Sequence, residues 1–197
     1  MAISTKDIKK LREITGAGLL DARSALESSE GDFEKATKIL MEKGAQIAKS
    51  KSDRNALQGI IVQYIHPGDR IGVLLELNCE TDFVARNDDF KKLAHNLALQ
   101  VAGMHPIYIS PEDIPEDVLK KEKEVYSAQL QDKSKESSQK ASQGKLDAFY
   151  ESVCLTKQIF VLNSDIKVEE LMAETVGILK ENIKIARFVR FEVGDRS

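Results

Sequence analysis

Thr81-Asp82-Phe83-Val84-Ala85-Arg86-Asn87 stands where a pair of apolar runs ends and a long helical pattern begins. A chain leaving a strand normally turns polar. Here a phenylalanine and a valine sit between charged residues instead. If Asp82 caps a short helical turn, Phe83 lies on its first turn and points outward from a fixed base. Asn87-Asp88-Asp89 then caps a second, longer helix with Phe90, Leu93, Ala94, Leu97 and Val101 on one face. If one helix runs through instead, the seven-residue spacing of Phe83, Phe90 and Leu97 makes Phe83 its first core residue. Aromatics favour cores, and the spacing alone leaves both readings open.

Upstream, residues 60–65 and 71–77 are two β-rich runs around His66-Pro67-Gly68-Asp69, and Pro-Gly there is a strong turn signal. Ile71, Val73, Leu75 and Leu77 alternate onto one face, with Gly72, Leu74, Glu76 and Asn78 on the other. The expectation is a half-buried antiparallel hairpin that delivers 81–87 from a rigid element. Residues 3–44 read as three short helices. The first is capped by Ser4 or Thr5 and carries Ile8, Leu11 and Ile14, until Thr15-Gly16-Ala17-Gly18 breaks it. The second carries Leu19, Ala22, Ala25 and Leu26. Asp32 caps the third, with Phe33, Ala36, Ile39 and Leu40 inward and Gly44 at its far end. Residues 45–55 are polar and read as a linker or as more helix. A bundle this small suits docking better than enclosing a catalytic pocket. Leu19 and Leu20 are adjacent, so one helix cannot turn both to the same core, and one is expected at the surface beside Arg12. The plainer alternative is a Leu20 partly covered by the loop.

Downstream, 104–115 reads as a loop with a short extended piece at Ile107, Tyr108 and Ile109. Val118, Leu119, Val125, Tyr126 and Leu130 recur through a helix at 116–131. Residues 132–144 are nearly devoid of apolar side chains, and a second helix resumes at Leu146, Phe149, Tyr150 and Val153. That is a helical hairpin with a polar tip. Val168, Leu171, Met172 and Leu179 mark a last helix, and Ile183, Ile185, Val189, Phe191 and Val193 alternate along a closing strand. The fold class expected is α+β. A three-helix domain with linker occupies 1–52, and an α+β core occupies 53–197, with a three-stranded antiparallel sheet and the helical hairpin (116–153) inserted.

At 197 residues and 22.0 kDa the chain suits one or two domains, and 42% hydrophobic with 31% charged residues is ordinary for a globular protein. A net charge of -3 and a pI near 5.7 argue against a bulk basic surface for nucleic acid, so a protein partner is the default. No apolar run approaches a membrane span, and residues 1–7 lack a signal-peptide core. Cys79 and Cys154 make neither a disulfide framework nor a zinc set, which fits a cytosolic protein with reduced thiols. The chain lacks a G-x-x-x-x-G-K-[ST] loop. His66, His95 and His105 have no partner at ligand spacing, so structural or surface roles are expected and no cofactor or metal is. Cys79 at a strand end, without an obvious base, reads as a packed small residue. Lys133, Lys135 and Lys140 are interleaved with Asp132 and Glu136 and read as a solvated loop before an RNA site.

Three stretches carry a family likeness. Asn78-Cys79-Glu80-Thr81-Asp82-Phe83-Val84-Ala85-Arg86 resembles a signature of the bacterial elongation factor Ts family. Leu11-Arg12-Glu13-Ile14-Thr15-Gly16-Ala17-Gly18-Leu19-Leu20-Asp21-Ala22 resembles a second, and Glu181-Asn182-Ile183-Lys184-Ile185-Ala186-Arg187-Phe188 a third. They occur in the family's order over nearly the whole chain. The family often has a cysteine where Ala22 stands, a small change between two small residues. The resemblance implies a ubiquitin-associated-type three-helix domain docking on elongation factor Tu, through Arg12, Leu19 and Leu20. It implies guanine-nucleotide exchange without covalent chemistry, with Thr81, Asp82, Phe83 and Val84 dislodging the partner's Mg²⁺. Longer members carry two related copies of the core. No internal repeat is visible here, so the chain resembles the short form and is expected to form a homodimer. Of the rival classes, a hydrolase lacks its constellation, and a helical-bundle adaptor explains the first 44 residues but leaves Asp82 and Phe83 without purpose.

Overall fold

A computed structural model describes residues 3–129 and 135–195, with side chains described outside 127–129 and 135–140. Chain order is α1 (Thr5–Thr15), α2 (Leu19–Ser28), α3 (Phe33–Lys51), β1 (Gln58–Ile65), β2 (Ile71–Cys79), α4 (Asp82–Ala85), α5 (Asp88–Met104), α6 (Glu116–Gln129), α7 (Lys135–Val153), β3 (Ile159–Phe160), β4 (Asn163–Lys167), α8 (Val168–Leu179) and β5 (Lys184–Glu192). The class is α+β. An antiparallel three-stranded sheet runs in the order β1-β2-β5, and a second, two-stranded sheet pairs β3 with β4. No described helix is long and apolar enough to cross a membrane.

The chain divides into two compact units. The first holds 1–62, 75–96 and 170–188, and the second 63–74, 97–169 and 189–197.

In the first unit, Ser4 starts α1 with a capping box: its hydroxyl accepts the Asp7 amide while Asp7 accepts the Ser4 amide. Asp32 caps α3 through the Lys35 amide at 3.1 Å. The three helices bury Leu11, Ala22, Ala25, Leu26 and Ala36, with Ile8, Phe33, Ile39 and Leu40 packed against them. Two expectations change here. Ile14 is 63% exposed, so the buried face of α1 is narrower than its apolar spacing. Gly44 does not end the third helix, because α3 continues to Lys51. The glycine serves a crossing instead: a Cβ on Gly177 of α8 would lie 2.9 Å from Gly44 Cα, and one on Gly44 would lie 3.1 Å from the Ala173 carbonyl. Asp21 of α2 ties both helices, accepting from Lys43 Nζ at 2.7 Å and Lys180 Nζ at 3.4 Å.

The hairpin follows the sequence pattern. Asp69 donates to the His66 carbonyl at 3.0 Å, and Gly68 holds φ +97°, the left-handed geometry that a Pro-Gly turn needs at its third position. Along β2, Val73, Leu75, Leu77 and Cys79 are buried, while Leu74 is exposed. In the first unit Phe90, Leu93 and Ala94 of α5 are buried as well, as are Leu97, Ala98 and Val101 in the second.

The second unit contains the helical pair α6 and α7. The second arm is longer than the apolar pattern suggested: α7 is helical from Lys135, not from Leu146. Glutamine and lysine support helix and serine is tolerated in it, but none supplies an apolar stripe, so periodicity could not reveal it. Lys145 Nζ sits 5.6 Å from the Tyr126 ring centre, linking the arms. The tip lysine Lys133 lies outside the described residues, as do the side chains of Lys135 and Lys140. The β3–β4 pair was not foreseen. It is pinned by buried Gln100, whose amide donates to Gln158 Oε1 (3.1 Å) and the Ile159 carbonyl (3.0 Å) and accepts from the Val161 amide (2.8 Å).

Candidate functional site

The first-unit end of β2 leads into the turn that the sequence singled out. Thr81, not Asp82, is the cap of α4. Its backbone is extended (φ -127°, ψ 156°), and its hydroxyl accepts the Val84 amide at 3.4 Å. Asp82 is therefore the first helical residue, where a carboxylate favours the positive helix end. Its Oδ2 accepts from Arg86 Nη2 at 2.7 Å, an ion pair on the surface that holds the carboxylate only weakly.

The turn stops after one revolution. Asn87 donates to the Val84 carbonyl at 2.9 Å, and its side chain then accepts the Asp89 amide at 2.8 Å to start α5. That break decides between the two sequence readings. Phe83 is 81% exposed, whereas Phe90 and Leu97 are fully buried. Ala85, 7% exposed, anchors the turn, and Val84 is half-buried. The fold brings Thr81, Asp82, Phe83 and Val84 onto one short platform with its ring in water.

Two carboxylates hold the base of that platform. Glu181 Oε2 accepts the Glu80 amide (3.1 Å) and the Thr81 amide (3.0 Å), and its Oε1 accepts the Thr81 hydroxyl at 2.6 Å. Glu80 answers by accepting the Asn182 amide at 2.7 Å, and Arg54 Nη1 reaches it at 3.4 Å. The bond from Asn182, then the Arg54 charge, keeps the Glu80 carboxyl below its ordinary value. The Asn182 side chain donates to the carbonyls of Ser52 (3.2 Å) and Arg54 (2.6 Å). Reading the sequence missed this clamp. Glu80 and Glu181-Asn182 both lie in family-like stretches, but nothing in a linear pattern pairs residues about a hundred positions apart.

Cys79 is a packed residue. It is buried, its thiol donates to the Thr81 carbonyl at 3.1 Å, and burial followed by the Glu181 charge pushes its pKa up to about 11. Among the described residues no group of three or more His, Cys, Asp or Glu side chains could hold a metal ion.

The other predicted contacts lie on α1 and α2. Both leucines are at the surface, Leu19 at 55% and Leu20 at 78% exposed, where only one was expected. They sit on the first turn of α2, whose buried residues are Ala22, Ala25 and Leu26, so neither is turned into that core. With Ile14 they expose three large apolar side chains. Arg12 of α1 is exposed, its Nε donating to the Ala17 carbonyl at 3.2 Å and so closing the loop between the helices. The candidate residues therefore form two sets on separate elements, one apolar and broad, the other a single projecting turn.

The sequence has relatives. The family model described as Elongation factor TS matches residues 20–195. The chain is 53% identical over 195 residues to elongation factor Ts of Thermotoga neapolitana, covering 99% of each. It is 50% identical to that of Pseudothermotoga lettingae over 197 residues, covering 99% of this chain and 100% of that one. Against elongation factor Ts of Thermodesulfovibrio yellowstonii it is 49% identical over 195 residues, covering 98% of each. With the projecting turn, its two-carboxylate base and these full-length likenesses together, the chain belongs to the elongation factor Ts family.

Proposed function

We propose that this chain is a translation elongation factor that binds elongation factor Tu carrying GDP and promotes its replacement by GTP. The observation that carries the reading is the exposed ring of Phe83 on a turn anchored from both sides. A large aromatic kept out of its own core on a rigid base is built to enter another surface. In this reading Phe83 inserts between elements of the partner, and Thr81, Asp82 and Val84 disturb the groups that hold its Mg²⁺. Without the ion the diphosphate charge is poorly compensated and GDP leaves. The mechanism is linkage. A protein that binds the nucleotide-free partner more tightly than the GDP form must weaken GDP by the same factor, because coupling is reciprocal. No covalent step and no cofactor of this chain is required.

Docking falls to Arg12, Leu19 and Leu20 on a ubiquitin-associated-type module within 1–52, and 53–197 supplies the core. Both belong in the cytoplasm with the partner. The protein acts as a homodimer without direct contact to nucleic acid or membrane. Support for pairing comes from the second unit's sheet strands, where Ile65 (56%), Leu74 (47%), Val189 (41%) and Phe191 (68%) are exposed. A Cβ on Gly72 would touch Ile65, so Ile65 shares a face with Leu74, two residues on. Arg187 pairs with Glu76 at 2.8 Å, which puts the alternate residues Val189 and Phe191 on that face as well. An apolar sheet face of this kind marks an interaction surface.

The test is release of labelled GDP from purified elongation factor Tu, with and without this chain. Accelerated release that saturates with the added chain supports the reading. Binding to the partner without acceleration would make the chain an adaptor, and absence of both would end the proposal.

A further inference from the structure

We propose that Glu181 is a positioning residue for exchange, acting through Thr81 to hold the turn that presents Asp82 and Phe83; this rests on the exchange reading above. A one-turn helix is unstable by itself, since nucleation fixes several dihedrals for few hydrogen bonds. Its direction must come from outside. One carboxylate, Glu181, accepts three donors from the two residues before α4: the amides of Glu80 and Thr81 and the Thr81 hydroxyl, at 3.1, 3.0 and 2.6 Å. The same hydroxyl accepts the Val84 amide, so the chain of bonds runs from Glu181 through Thr81 into the turn. Bonds to an ionised acceptor are roughly twice as strong as neutral ones.

Glu181 is itself held. It follows Lys180, which lies just past α8 at φ +59°, and it precedes buried Asn182, whose amide is taken by Glu80. Each acidic residue thus accepts backbone amides from the other's strand end. Removing the Glu181 carboxylate takes away all three bonds that hold the base of α4, while the residues of the buried aliphatic core are not among its partners. Phe83 then keeps its surface and loses its direction. Since catalytic groups must be held to within about half an ångström, the same demand applies to an inserted ring.

Three variants test this: Glu181→Gln, Phe83→Ala and the pair together, each followed by nucleotide release from elongation factor Tu across a range of concentrations. Glu181→Gln should lower the maximum rate about 10-fold, the scale of one charge-assisted hydrogen bond. The half-saturating concentration should move by less than about 2-fold, because the docking helices are unchanged. Added to Phe83→Ala it should cost less than it does alone, because only the presentation of Asp82 is left to lose, the non-additivity expected of residues acting through one turn. A full second loss in the double variant, a shift in half-saturation alone, or a wild-type rate in Glu181→Gln would each overturn the inference while leaving the exchange reading standing. A wild-type rate in Phe83→Ala is a different result. It removes the role of the ring and the positioning role with it. Should Glu181→Gln fail to fold, Thr81→Val decides: it removes the bridging hydroxyl at an exposed position and should reproduce the lowered maximum at unchanged half-saturation, and an unchanged maximum would overturn the inference.

Discussion

A phenylalanine with 81% of its surface in water adds little to its own core, so truncating it probes interaction and spares folding. Burying such a ring elsewhere is worth roughly 1.5–3 kcal/mol, about 10- to 100-fold in affinity. Phe83→Ala should slow GDP release by about that factor with an unchanged melting curve; a lowered melting temperature would return the ring to the core. The thiols behave oppositely. Burial, then the Glu181 charge, raises Cys79 to about 11, and burial, then Asp113, does the same for Cys154. An unfolded thiol ionises near 9.0, so above that pH the unfolded chain sheds protons the native chain keeps. Stability should therefore be intact below about pH 9 and decline as pH rises towards 11, as denaturant midpoints at the two ends would record. Iodoacetamide at neutral pH should label neither cysteine in the native protein and leave exchange unaffected. The packed role of Cys79 was readable from its place at a strand end. The exposure of Phe83 was not, because heptad spacing fits a continuous helix equally well until Asn87 caps a new one.

Elements decide docking and stability separately. The first turn of α2 carries Leu19 and Leu20 away from the core that Ala22, Ala25 and Leu26 enter. Leu20→Asp should raise the concentration needed for half-maximal exchange several-fold and leave the plateau alone, since the loss falls on association; a lowered plateau would mean the leucines share the work of the turn. At the α3–α8 crossing there is no room for a side chain, because a Cβ on Gly177 would stand 2.9 Å from Gly44 Cα. Gly177→Leu should destabilise by about 1–3 kcal/mol through overpacking, and calorimetry should show the melting temperature falling by roughly 2–4 °C per kcal/mol. Gly44 illustrates what a linear reading loses. Glycine ends helices and also admits close crossings, and only the packed partner shows which use applies.

At the scale of the whole molecule, Ile65, Leu74, Val189 and Phe191 are exposed among the described residues, and the proposed pairing would cover them. Light scattering should give a particle of twice the 22.0 kDa chain mass, and Phe191→Asp should reduce it to a single chain by placing a charge in the proposed interface. A wild-type mass of 22.0 kDa would sink the pairing. Much here was settled by local chemistry. Capping residues, Pro-Gly turn geometry and period-two burial act over a few neighbours, and so the sequence by itself determined the three N-terminal helices, the β1–β2 hairpin and the family. The tertiary structure alone decided that Glu181 meets Thr81, that Gly44 lies under Gly177 and that Gln100 pins β3. Each of these is a contact between residues distant in the chain, chosen by which surfaces pack together, and no local preference encodes that choice.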